Sequence, residues 1–160
     1  MIPVIRKAGR PDVPAVTSIL REAAVWLEQG GRVMWPVADI TEGRTVSELD
    51  VFFLAEIGGE PAGTLKFQLV DPVCWPEVPF GDSAFVHGFA VRRRFAGTGL
   101  STALLSWAVD RSRLLGRKYI RLDCDATRPV LRAFYENFGF RYHSDTVMGP
   151  YLLARYQIRL

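Results

Sequence analysis

The residues whose spacing most suggests chemistry run Phe89-Ala-Val-Arg-Arg-Arg-Phe-Ala-Gly97-Thr-Gly99-Leu-Ser-Thr-Ala-Leu-Leu. An apolar strand leads through a short basic turn with two glycines directly into an amphipathic helix. The first N–H groups of a helix lack intrahelical partners, and its dipole adds about half a positive charge there. Glycines at 97 and 99 remove the Cβ atoms, so an anion can come close to those N–H groups. The chemistry offered is capture of a phosphate or pyrophosphate. No Gly-Lys-Ser/Thr follows, so this is not a Walker A loop, and the spacing of a dinucleotide fingerprint is missing as well. By itself the glycine pair fits equally a surface loop whose Arg92, Arg93 and Arg94 are solvated.

Other chemistry-bearing types are few. Cys74 and Cys124 are the two cysteines and show no metal-ligand spacing, so no metal is expected. Cys124 reads as a buried strand thiol. His87 and His143 are the two histidines and read as structural. The charge is uneven: residues 1–80 hold seven basic and eleven acidic side chains, and residues 81–160 hold thirteen and six. A basic half suits an anionic partner, and an acidic half suits a cationic one. Nucleic acid ranks last among anionic partners, because neither interleaved aromatics nor a recognition-helix pattern accompanies Arg92–Arg94.

The elements that must position these residues fit one domain, 1–160, a length that needs no disulfide or metal staple. The composition, 49% hydrophobic and 23% charged, is that of a globular protein. No run approaches the ~18 apolar residues of a membrane span, and Arg6, Lys7 and Arg10 interrupt any signal-peptide core. A reduced, cytoplasmic protein is expected. Strand Val4–Lys7 precedes a helix over 12–29 with Asp12 as N-cap, Gly30-Gly31 as its stop and Trp26 within the apolar stripe. A weaker helix spans 38–49. Strands 51–57 and 62–70 are joined by a turn at Gly58-Gly-Glu-Pro61. A Pro-rich loop, 71–81, precedes an apolar strand at 84–91, in which Gly88 suggests a bulge.

In the second half a helix over 98–115 carries Leu100, Leu104, Trp107 and Leu114 on one face. Strand 119–124 follows, then a helix over 129–138 that buries Leu131, Phe134 and Phe138, then strands 140–147 and 151–159. The βαβ passage over 84–124 requires a parallel pair with a right-handed crossover. The fold class is therefore α/β of the α+β type. Its sheet is mixed, mostly antiparallel and six- to seven-stranded, with helices on both faces.

Taken together, these features resemble the GNAT superfamily of N-acetyltransferases over nearly the whole chain. Arg94-Phe-Ala-Gly97-Thr-Gly99 matches its Gln/Arg-x-x-Gly-x-Gly/Ala signature, and Phe134-Tyr135-Glu-Asn-Phe-Gly139-Phe140 matches its aromatic-Tyr-x-x-x-Gly-Phe signature. Ala62-Gly63-Thr64 and Leu122-Asp-Cys-Asp125 are also usual for such proteins. The resemblance implies a central parallel strand pair splayed for acetyl-CoA, the co-substrate. It places the pantetheine on the main chain of Phe89, Ala90 and Val91. It places the pyrophosphate on the N–H groups of Arg94, Phe95, Ala96, Gly97, Thr98, Gly99 and Leu100, reaching Ser101. One departure stands out: Arg128 occupies the position of the family's usual helix-capping Asn. Arginine accepts no hydrogen bond, so Thr127 is expected as the substitute cap. Arg128 is left either to reach a phosphate or to remain solvated.

The reaction so implied is direct acetyl transfer to the amine of a small molecule or peptide. Tyr135 is the expected general acid and Asp123 the expected base, with Glu56 or a water chain as alternatives. Asp123 could equally be held in an ion pair with Arg121 or another arginine. Trp26 and Trp35 are the candidate walls of a pocket for a cationic amine, although helical spacing also places Trp26 in the core. A homodimer is compatible with the sequence. The competing readings are a non-catalytic acyl-CoA-binding module of the same fold and a nucleic-acid binder.

Overall fold

A computed structural model describes residues Ile2–Leu160. Its strands are β1 (Val4–Lys7), β2 (Phe52–Ile57), β3 (Glu60–Gln68), β4 (Ser83–Val91), β5 (Tyr119–Asp125), β6 (Arg141–Met148) and β7 (Tyr151–Arg159). Its helices are α1 (Val13–Gln29), α2 (Glu42–Ser47), α3 (Leu100–Leu114) and α4 (Pro129–Phe138). The seven strands form one mixed sheet in the order β1-β2-β3-β4-β5-β7-β6. β4 and β5 are the parallel pair, in register from Ser83↔Tyr119 to Phe85↔Arg121. The pairs β1·β2, β2·β3, β5·β7 and β6·β7 are antiparallel. Among the described residues no helix is long and apolar enough to cross a membrane.

The chain divides into two compact units, Met1–Phe67 with Gly88–Trp107, and Gln68–His87 with Ala108–Leu160. In the first, Val16, Ile19 and Leu20 of α1 bury against Phe52 and Leu54 of β2 and Ala90 of β4. Gly58 and Gly59, at φ +60° and +79°, make the β2–β3 turn alone. Two successive positive φ values suit the twist of a tight hairpin. Glu60 and Pro61 therefore belong to β3 rather than to the turn, and Pro61 sits beside a register shift, where its missing N–H is tolerated. Asp12 is not a side-chain cap for α1 as expected. Its carboxylate accepts from the Gly9 N–H at 2.8 Å and from both Arg6 terminal nitrogens at 2.7 and 2.8 Å, holding a 3-10 turn instead. The helix expected over 38–49 is broken. Only Glu42–Ser47 is α-helical, capped by Thr41, whose hydroxyl oxygen accepts from the Arg44 N–H, and 3-10 turns flank it. Gly88 has φ +53°, so the irregularity expected in β4 is present.

In the second unit Ile120, Leu122 and Cys124 of β5 are buried with Phe140, Leu153, Ala154 and Tyr156. Helix α4 spans the expected residues and ends at Gly139, φ +126°. The residue it buries is Tyr135, whereas Leu131, Phe134 and Phe138 are half-buried. Leu114 does not join the apolar face of α3: it is 87% exposed, because the helix stops there.

Candidate active site

The turn before α3 is solvent-exposed from Ala96 to Gly99. Gly97 and Gly99 adopt φ +76° and +87°, a region open to glycine at little cost, and a Cβ on either would meet no atom within 4 Å. The Gly99 carbonyl accepts from the Ala103 N–H at 3.0 Å, which makes Gly99 the N-cap of α3. The N–H groups of Leu100, Ser101 and Thr102 are then those that a helix cannot satisfy internally. The open volume at both glycines, beside a helix N-terminus, fits a phosphate group.

The basic side chains beside this turn are engaged within the first unit, although Arg93 and Arg94 remain exposed. Arg92 donates to Pro61 O, Ser18 Oγ and Glu22 Oε2, and Arg94 pairs with Glu60. Arg93 stacks on Trp26 with its guanidinium carbon 4.1 Å from the ring centroid. In β4 the Ala90 carbonyl lies 3.1 Å from a Cβ built on Gly63 of β3, and the Arg92 N–H donates to Ala62 O at 2.8 Å. Successive peptide groups of a strand point to opposite edges, so Phe89 and Val91 turn theirs away from β3.

Tyr135 lies in the second unit, packed edge-on to Phe134 and Phe140 and tilted against Tyr156. Gly139 and Phe140 donate to its carbonyl and lock the end of α4. Burial, then the neighbouring Cys124 and Asp123, push its phenol well above the usual range, while Arg128 pulls it down. The hydroxyl is therefore protonated at neutral pH. Arg128 precedes α4 with extended backbone and makes no capping bond. Nor does Thr127 take over that role, because Asp125 Oδ1 accepts both its N–H at 2.9 Å and its hydroxyl at 2.7 Å. Burial pushes the Cys124 thiol up to about 12, leaving it unreactive at neutral pH.

Asp123 faces away from the apolar side of β5, as the alternation requires, but it makes no ion pair with Arg121. Arg121 instead donates to Ser83 Oγ at 2.8 Å and reaches Asp82 at 3.5 Å. Asp123 Oδ2 is sealed from solvent, with the Cys74 thiol as a hydrogen-bonding neighbour and His87 Nδ1 at 3.8 Å. Burial raises its carboxyl above the usual carboxylate range. The other ring nitrogen, His87 Nε2, lies 2.6 Å from Asp71 Oδ2. Asp71 and Cys74 complete this cluster, and sequence spacing pointed to neither. Glu56, the alternative base, is tied to Arg6 at 2.7 Å.

The two tryptophans separate. Trp26 is not a core residue: it is 42% exposed and lines a groove of about 840 Å³ with Ser18, Arg21, Glu22, Glu42 and Arg93. Trp35 is half-buried and packs against the core of the first unit.

Residues 17–140 match the acetyltransferase (GNAT) family. The chain is 28% identical over 156 residues to the uncharacterized N-acetyltransferase YesJ of Bacillus subtilis, covering 90% of this chain and 84% of that protein. Its fold is similar to that of a GNAT-family acetyltransferase from Listeria monocytogenes, with a TM-score of 0.81 and 22% identity over 99% of this chain and 95% of that one. It is also similar to YncA, a putative acetyltransferase of Salmonella typhimurium solved with its cofactor acetyl-CoA. There the TM-score is 0.75 with 17% identity over 99% of this chain and 94% of that one. With a match across residues 17–140, more than half its length, the chain belongs to the GNAT family of acetyltransferases.

Proposed function

We propose that this chain is an acetyl-CoA-dependent N-acetyltransferase, with residues 1–160 as one catalytic domain, moving an acetyl group directly to the amine of a small molecule or peptide. The observation that carries the reading is the exposed turn at Gly97 and Gly99, whose positive φ values leave open space at the N-terminus of α3. There the N–H groups of Gly97, Gly99, Leu100 and Ser101 take the pyrophosphate, those of Phe95, Ala96 and Thr98 being already bonded to the carbonyls of Arg92, Arg93 and Phe95. The main chain of Phe89 and Val91 is left for the pantetheine. Asp123, a buried carboxylate beside His87, takes the proton that the amine loses as nitrogen attacks the thioester carbonyl. Tyr135 gives its phenolic proton to the sulfur as the carbon–sulfur bond breaks; Asp123 then releases its proton to solvent and Tyr135 regains one from it. Trp26 lines the acceptor groove, but its ring already carries Arg93, so a cationic amine would have to displace that guanidinium. Both cysteines are unpaired, which suits a reducing cytoplasm.

The test is melting temperature with and without acetyl-CoA, followed by free-thiol release over a panel of amines. At a hundred times its Kd the ligand should add about 2.7 kcal/mol of stability. An unchanged melting temperature at millimolar acetyl-CoA would sink the proposal. Stabilisation without thiol release on any amine would instead support an acyl-CoA-binding module.

A further inference from the structure

Asp71, Cys74, His87 and Asp123 come from the loop after β3, from β4 and from β5, and each turns one donor atom toward the others. One atom from each residue lies within 4.8 Å of all the rest. The set is one sulfur, one imidazole nitrogen and two carboxylate oxygens, from one buried and three half-buried residues. We propose that these four side chains form a zinc-binding site.

The local structure is built to hold them. Asp71 Oδ1 accepts the Cys74 N–H at 2.9 Å, and the Asp71 carbonyl accepts the Trp75 N–H at 3.1 Å, closing a tight turn that fixes the Asp71–Cys74 pair. Arg155 holds the same turn from β7 by donating to the Cys74 carbonyl at 3.0 Å, with its guanidinium stacked 4.4 Å from the Trp75 ring centroid. His87 presents Nε2 to Asp71 and Nδ1 to Asp123. Asp123 Oδ2 adds a second observation: it is sealed from solvent with the Cys74 thiol and His87 Nδ1 as neighbours, and a buried carboxylate is costly unless a cation answers it.

The donor chemistry selects the ion. Thiolate and imidazole favour zinc over magnesium or calcium, which prefer all-oxygen shells. Tetrahedral zinc with bonds of about 2.0–2.3 Å places its ligands roughly 3.3–3.8 Å apart, so side-chain adjustments on the order of 1 Å would close the site. Binding displaces the thiol proton to solvent, and no electron is transferred. One thiolate and two carboxylates against a divalent ion leave one net negative charge, beside Arg155. Asp123 accepts the amine proton in the metal-free chain and becomes a ligand when zinc is bound, so the two roles belong to different states and the site is tested by binding rather than by activity.

The full reduced chain, stripped with a chelator, is titrated with cobalt(II) and read for a thiolate-to-cobalt charge-transfer band. It is then titrated with zinc in competition with a chromophoric chelator. One equivalent should bind, with the band present in wild type and in Cys124→Ser but absent in Cys74→Ser. His87→Ala should weaken zinc by ~100-fold, the upper end of what losing even an outer-shell partner costs. The proposal is overturned if wild type shows no band, if Cys124→Ser rather than Cys74→Ser loses it, or if zinc affinity in His87→Ala stays within threefold of wild type. Should Cys74→Ser not fold, the comparison of wild type with Cys124→Ser decides alone.

Discussion

The glycine turn and the Asp71–Cys74–His87–Asp123 cluster handle charge in opposite ways. In the unit that holds the turn, charged side chains find one another: Arg6 with Asp12 and Glu56, Lys66 with Glu48, Arg92 with Glu22, Arg94 with Glu60. What remains unmet there is backbone, the N–H groups at the start of α3. In the cluster it is side chains that are gathered out of solvent, with His87 on Asp71 and Asp123 Oδ2 sealed beside them. An anion reader made of backbone depends on chain conformation, and a cation reader made of side chains depends on donor identity. Substitutions at the two places should therefore fail in different ways.

The largest effect is expected where conformation is the reader. Gly97→Val or Gly99→Val puts a branched side chain at a φ reserved for glycine and into the volume proposed for phosphate. Acetyl-CoA affinity should fall more than ~100-fold, about 2.8 kcal/mol at 1.4 kcal/mol per tenfold, with the fold retained because the turn is exposed. Calorimetric Kd values decide, and a folded variant with unchanged affinity would break the comparison. Tyr135→Phe comes next. Removing one oxygen from a ring held by Phe134 and Phe140 should leave cofactor Kd and melting temperature near normal and lower kcat by ~100-fold, the low end for a general acid. Turnover within twofold of wild type, with chemistry rate-limiting, would reduce Tyr135 to packing.

A smaller effect should separate paired from unpaired carboxylates. Hydrogen bonds from Arg6 hold Asp12 below the usual carboxylate range. A depressed folded value stabilises the fold at pH above the unfolded value near ~3.9, and that contribution is lost as pH falls through the folded value. Arg6 is 42% exposed, so solvent screening limits the contribution to about 1 kcal/mol. Asp12→Asn should lower the melting temperature by ~2–4 °C at pH 7, and the gap from wild type should close as the pH drops toward 2. A gap that persists in acid would assign Asp12 a role independent of its charge.

The same contrast explains what was legible in the sequence. The glycine turn and Tyr135 sit in contiguous motifs, so they could be singled out by the family resemblance those motifs carry, and the extent of α4 followed from its proline and glycine punctuation. The cluster gathers residues 71, 74, 87 and 123, a separation at which no spacing rule operates, and His87 accordingly read as structural. The caps failed for a related reason. Asp12 and Thr127 have the right residue types, but Arg6 draws the Asp12 carboxylate into other bonds and the Thr127 hydroxyl donates to Asp125. Trp26 shows that periodicity can name the stripe and miss its edge: 42% of the residue stays exposed, and Arg93 covers the ring.

The smallest expected effect bears most directly on whether backbone or arginine reads the phosphate. Arg94 opens the family signature, and its guanidinium pairs with Glu60, both side chains being about half exposed. Exposed pairs of this kind contribute only about 0–1 kcal/mol, so Arg94→Ala should barely change the melting temperature. If the N–H groups alone hold the pyrophosphate, acetyl-CoA affinity should change by less than ~threefold, under about 0.7 kcal/mol. If Arg94 instead leaves Glu60 for the phosphate, a charged hydrogen bond worth roughly 1.5–3 kcal/mol is lost, and affinity falls by tenfold or more. Ionic strength adds a second readout. A screened guanidinium contact would make wild-type binding weaken with salt more steeply than binding by Arg94→Ala, whereas a backbone cradle predicts parallel salt dependences. Calorimetry on both proteins at low and high salt therefore decides the point, and a tenfold loss with diverging salt slopes would move the anion site from the backbone to the arginine.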